Sequence, residues 1–178
     1  MAAFLLAFFI LPSLLFSNIE VTVVQVLSGD TVELSNGEVV RLLGIDAPES
    51  QKNMKLEHDL ERSKETESEI LEQGGKAKQF TKDLVEGKTV RLEFDLYRRD
   101  GYGRQLANIY MPAVPQELSP GDSRILVGED GHKEVFVNAT IINSGYAYPF
   151  AVPPNVKNVN YFLELFKDAQ EHKRGLWQ

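Results

Sequence analysis

Asn36-Gly37 sits between two short runs rich in β-branched residues, TVELS at 31–35 and EVVRLLGI at 38–45. Both central residues of a type I′ turn need positive φ, which Asn and Gly adopt at least cost, so the pair predicts a tight hairpin. Upstream, Ile19, Val21 and Val23 alternate with Glu20 and Thr22 before the apolar phase moves to Val24 and Val26. That shift marks a strand bulged near Val24 or partly buried on both faces. With Ser28-Gly29-Asp30 as a turn, the spacing predicts strands over 21–27, 31–35 and 38–45, paired as a meander.

The next segment, 50–74, is polar, its apolar residues Leu56, Leu60, Ile70 and Leu71 too sparse for a continuous stripe. Glu57, Glu61, Glu65 and Glu69 recur at i,i+4 and would stack like charge on one helix face, so a solvated, partly helical insertion is expected. Its four basic residues are outnumbered by seven acidic ones, which makes it an acidic flap directly after Glu49. A short helix with Ala77, Phe80, Leu84 and Val85 on its core face follows, ended by Gly87. TVRLEFDLY and RQLANIYM read as two more strands around RRDGYG. A second insertion at 112–133, rich in Pro, reads as a loop or irregular hairpin. VFVNATIINSG reads as a strand running into a short helix, and Phe162, Leu165, Phe166 and Ala169 stripe a final one. The expected fold is α+β and mainly β: a five-stranded OB-fold barrel with about three helices, one of them between the third and fourth strands.

A chain of 178 residues with 43% hydrophobic content supports one domain with a core of its own, taken here as 19–178. The formal charge of −7 argues against adhesion to polyanions through bulk charge, so such a partner needs a local basic site. The absence of cysteine excludes disulfides, thiolate metal sites and cysteine nucleophiles. Residues 1–17 carry a short apolar stretch read as a signal peptide or an uncleaved anchor, which predicts a secreted, periplasmic or membrane-anchored protein. His58, His132 and His172 are isolated, without metal-ligand spacing. Asn138-Ala-Thr is a glycosylation sequon by pattern only, expected to be hidden at a helix start.

In VRLLGIDAPES, at 40–50, Asp46 and Glu49 cluster around a proline with Arg41 just behind. A carboxylate pair at a strand end suits a hard cation, which takes oxygen ligands, and Pro48 holds Ala47 extended so that its carbonyl could join them. A strand-end Asp before Ala-Pro is more often a turn residue. Asp30 lies in the first turn, on the same edge of the meander as the end of the third strand, so the topology brings it toward Asp46. Five residues separate Arg41 from Asp46, which puts them on opposite faces of a regular strand unless Gly44 bends it. Arg104 stands where the DGYG turn re-enters a strand. Arginine near a cation site suits phosphate, since its planar fork binds two oxygens; a solvated strand-face charge is the plainer reading of each.

SGDTVEL, VRLLGIDAPE, DGYGRQLANIY and INSGYA followed by a helix ending in RGLW together resemble the staphylococcal nuclease (thermonuclease) family over about residues 21–177, apart from the two insertions. The resemblance implies an OB-fold barrel with three helices and Ca²⁺-dependent cleavage of DNA and RNA that leaves 3′-phosphates. It implies Asp30, Asp46 and the Ala47 carbonyl as Ca²⁺ ligands, Glu49 as the group that orients or deprotonates water, and Arg41 and Arg104 on the scissile phosphate. Tyr102 matches the tyrosine near the family's 5′-phosphate pocket, but the lysine before it is Gly101 here. The base-flanking tyrosines align near Ala151 and Pro153, leaving Tyr146, Tyr148 or Phe150 as the rings to stack. The implied partner is single-stranded or denatured nucleic acid, met by a monomer without a stable protein partner. The competing reading is a non-catalytic OB-fold module binding nucleic acid or protein, which would predict losses among the five charged positions.

Overall fold

Five strands whose inward residues are almost entirely Val, Leu, Ile and Ala close on themselves. The computed structural model describes residues 19–62, 64–113, 124–127 and 133–178. Strand β1 (Ile19–Ser28) is antiparallel to β2 (Thr31–Leu34), and β2 to β3 (Val39–Leu42). A two-residue strand β4 (Ile45–Asp46), α1 (Met54–Arg62) and α2 (Glu67–Val85) precede β5 (Thr89–Arg99) and β6 (Gln105–Pro112). Strand β5 pairs antiparallel with both β1 and β6, and β6 runs parallel to β3 with Val40 opposite Gln105, which seals the ring. This is the closed five-strand order of an OB-fold, with α2 between the third and fourth barrel strands. The register of β1 slips between Val23 and Gln25, the bulge expected at Val24.

The chain then adds β7 (Ile125–Val127), which pairs antiparallel with β8 (Lys133–Phe136), followed by α3 (Val137–Asn143), β9 (Tyr148–Pro149) and α4 (Val159–Glu171). Val23, Val32, Val40, Ala107 and Ile109 lie in one buried cluster with Phe136, Ile141, Ile142 and Phe162. Much of the second expected insertion, including 114–123 and 128–132, lies outside the described residues.

Three expectations change. The short core-facing helix is the second half of a 19-residue helix that starts at Glu67. Thr66 and Glu69 form a reciprocal capping box there, and the helix runs on through Gly74-Gly75, with Ile70, Gly74 and Ala77 buried along it. The polar segment is docked rather than merely solvated, since Leu56 and Ile70 are buried. Its glutamates do not share one face, because α1 ends at Arg62 and Glu69 is drawn into the cap of α2. The expectation of a secreted, periplasmic or membrane-anchored protein is corrected. Among the described residues no helix is long and apolar enough to cross a membrane, and the apolar segment at 1–17 lies outside them.

Gly74 sets how closely α2 approaches the strand end that carries Glu49. A Cβ there would strike the Glu49 carbonyl and come within 2.6 Å of the Ser50 nitrogen. Gly74→Ala should therefore cost roughly 1–3 kcal/mol, the usual range for overpacking, and displace Glu49. Urea unfolding measures the first effect, and a loss below half a kilocalorie would show that the backbone yields easily.

Candidate active site

The turn after β3 decides whether Arg41 can meet Asp46. Gly44 has φ +76°, where a β-carbon would also clash with the Phe162 ring. The chain bends there, and the odd strand separation no longer matters: Arg41 Nη2 donates to Asp46 Oδ1 at 2.8 Å. Arg41 Nη1 lies 3.1 Å from Asp30 Oδ2 and also donates to the carbonyls of Leu42 and Ile45 at 3.2 and 2.8 Å. One guanidinium thus bridges two acids that the meander brings to one edge.

Asp30 is buried and fully engaged. Its Oδ1 accepts from the Ser28 and Thr31 hydroxyls, and its Oδ2 accepts from the Ala47 N–H at 2.8 Å. Burial works against its charge, but Arg41, the Ala47 N–H, Lys55 and Thr31 outweigh that penalty and hold its pKa below the ordinary value. For Asp46 the balance is opposite: burial, aided by the nearby Asp30 charge, prevails over Lys55 and Arg41, and its pKa is raised. Helix α2 supports this floor from below, with the Thr81 hydroxyl donating to the Gly29 carbonyl at 2.7 Å. A Cβ on Gly29 would lie 2.6 Å from that of Ala47.

Glu49 is gripped from the polar segment. Asn53 donates to its Oε2 at 2.6 Å and Lys55 to its Oε1 at 2.8 Å. Lys55 Nζ also lies 3.2 Å from both the Ala47 carbonyl and Asp46 Oδ1. Desolvation disfavours this ammonium, but Asp46, Glu49 and Asp30 outweigh it, and its pKa is raised. Among the described residues no three His, Cys, Asp or Glu side chains group in a way that could hold a metal ion. The donor chemistry nonetheless fits a hard cation, because carboxylate and carbonyl oxygens converge on a single positive charge.

Arg41 and Arg104 line one cavity of about 190 Å³, together with Gly44, Tyr102, Phe150 and Val152. Arg104 is aimed by Asp100, to which its Nε donates at 2.7 Å, and its guanidinium lies 5.5 Å from the Tyr102 ring centre. Tyr102 is 83% exposed, a ring held out beside the cavity. Tyr146 and Tyr148 are placed differently. Tyr146 stacks on Phe80 at 4.4 Å, and Tyr148, opposite Asp46 in the β4–β9 pair, packs on Phe166 and Trp177. Neither lines the cavity, where Phe150 supplies the ring instead. Sequence reasoning also passed over Asp100, Asn53 and Lys55. Asp100 stands at i−4 from Arg104 and was legible as a partner; no pattern marks Asn53 or Lys55 apart from the other polar residues around them.

Comparison with known proteins follows the same residues. The family model described as staphylococcal nuclease homologue matches residues 39–178. An uncharacterized protein of Methanocaldococcus jannaschii is 32% identical over 163 residues, 87% of this chain and 70% of its own. The thermonuclease of Staphylococcus intermedius is 28% identical over 157 residues, covering 86% and 73%. An uncharacterized endonuclease of Escherichia coli O157:H7 is 28% identical over 165 residues, covering 90% and 78%. With the matched span running from β3 to the last residue, and Arg41, Asp46, Glu49 and Arg104 all inside it, the chain belongs to the staphylococcal nuclease homologue family.

Proposed function

We propose that this protein is a Ca²⁺-dependent endonuclease that hydrolyses the 5′-side P–O bond of DNA and RNA and leaves 3′-phosphates. The observation that carries the reading is the cavity shared by Arg41 and Arg104, with Arg41 also hydrogen-bonded to Asp46. Two arginines on one small cavity can bind several oxygens of one phosphate and stabilise the charge gained in an in-line transition state. Asp30, Asp46 and the Ala47 carbonyl would hold the ion. Bound Ca²⁺ supplies Lewis acidity toward a phosphoryl oxygen and helps to orient water. Glu49 accepts a hydrogen bond from the attacking water and so orients or deprotonates it. Arg104 stabilises the departing 5′-oxygen by charge, since a guanidinium does not give up a proton at working pH. The exposed Tyr102 and Phe150 rings offer faces to unpaired bases, which favours single-stranded or denatured substrate.

Purified protein should degrade denatured DNA with Ca²⁺, stop on addition of a chelator, and yield ends that a 3′-phosphatase alters. Undiminished cleavage in chelator would remove the metal from the reading. No cleavage under either condition, in a folded protein, would favour the binding module.

A further inference from the structure

Three oxygens suited to a hard cation already converge on one, and that cation belongs to this chain. Lys55 Nζ lies 2.8 Å from Glu49 Oε1 and 3.2 Å from both Asp46 Oδ1 and the Ala47 carbonyl. Helix α1 is built to deliver it. Asn53 Oδ1 accepts from the Leu56 N–H at 2.9 Å at the helix start, Leu56 is buried, and Asn53 Nδ2 donates to the other Glu49 oxygen. Both oxygens of Glu49 are therefore engaged by residues at the start of one helix. The acidic segment turns a lysine toward the acids.

Electrostatics explains why a cation is needed there. Asp30, Asp46 and Glu49 crowd one strand end, and Arg41 neutralises only part of their charge. An ammonium or a metal ion can supply the rest. Both cannot stand at one point, because Ca²⁺ draws oxygens to about 2.3–2.6 Å and would lie against the Lys55 nitrogen. The lysine stem is flexible and its side chain is 37% exposed, so it can leave while Leu56 stays buried.

We propose that Lys55 is an internal competitor of the divalent cation: its ammonium holds the acid site of the resting protein and must swing out before a metal ion, or a water on Glu49, takes its place. Lys55 thereby sets the cation concentration at which the site loads. This rests on the Ca²⁺ reading above.

Calorimetry with Ca²⁺ alone, without nucleic acid, tests it. Lys55→Met should bind Ca²⁺ at least about ten-fold more tightly than the native protein, since a unit charge is removed within contact distance of the site. Lys55→Arg, which keeps the charge, should not tighten binding. Lys167→Met, which removes an exposed lysine paired with Glu171 on α4, controls for net charge and should bind as the native protein does. Ca²⁺ should also raise the Tm of Lys55→Met more than that of the native protein, as tighter binding requires. Equal affinities for native protein and Lys55→Met, abolished together by Asp46→Ala, would overturn the competitor role and leave the Ca²⁺ reading standing. Absence of Ca²⁺ binding in both would remove that reading and the proposal with it.

Discussion

Replacing Arg41 with lysine should lower kcat on denatured DNA by roughly 10²–10³-fold, the range seen when one preorganised donor to a developing oxyanion is lost. The charge survives but the geometry does not. Arg41 uses two nitrogens to reach Asp30, Asp46 and the carbonyls of Leu42 and Ile45 at once, while lining the cavity it shares with Arg104. A single ammonium on a flexible stem cannot span both acids and also present two parallel donors to phosphate. Urea unfolding of Arg41→Lys should show a modest loss, because Asp30 remains buried and keeps its Ser28, Thr31 and Ala47 partners. Near-native turnover in a folded Arg41→Lys protein would sink the phosphate role.

Asn138→Leu should destabilise the protein by about 2–4 kcal/mol, because each buried polar group left unpaired costs about 1–3 kcal/mol. Asn138 is fully buried at the start of α3. Its Oδ1 accepts from the Ile109 N–H at 3.0 Å and its Nδ2 donates to the Leu43 carbonyl at 2.8 Å. It ties a central barrel strand to the Leu43-Gly44 bend that carries Arg41 on one side and Asp46 on the other. Leucine keeps the branched shape and leaves no cavity, but its methyl groups are larger than the amide's O and NH2, so the loss combines the lost hydrogen bonds with some overpacking. At roughly 2–4 °C per kcal/mol for a chain of this size, Tm should fall by about 4–16 °C. The Ca²⁺ affinity of the surviving folded fraction should fall as well, because the bend is no longer clamped. A Tm within one degree of the native protein would show that water or a backbone shift replaces Asn138.

Much of this site was legible without coordinates because it is local. Asn36-Gly37 marks the hairpin, although only Gly37 takes positive φ and Ser35, Asn36 and Gly37 form a three-residue loop in place of the expected type I′ turn; Gly44 permits the bend that brings Arg41 to Asp46, and the meander returns the Asp30 turn to the same edge. Each inference uses residues a few positions apart, or strands joined by tight turns, where covalent geometry and period-two alternation leave few alternatives. The hidden position of the Asn138 sequon was legible on the same grounds, but its role as a clamp was not, since its partners lie 29 and 95 residues away.

What only the tertiary structure decided are contacts with no period. Tyr146 and Tyr148 looked as suitable for base stacking as Phe150, and the packing of Phe80, Phe166 and Trp177 against the two tyrosines left Phe150 on the cavity. The polar segment read as a solvated acidic flap because charge composition is all that a sparse pattern exposes. Burial of Leu56 and Ile70 docks its two helices, and that docking carries Lys55 into the acids. The sequence alone determined which strands pair and which charged groups share an edge, through turn chemistry and alternation. Which cation those acids face was decided by helix packing, where the burial of one leucine places the lysine beside it.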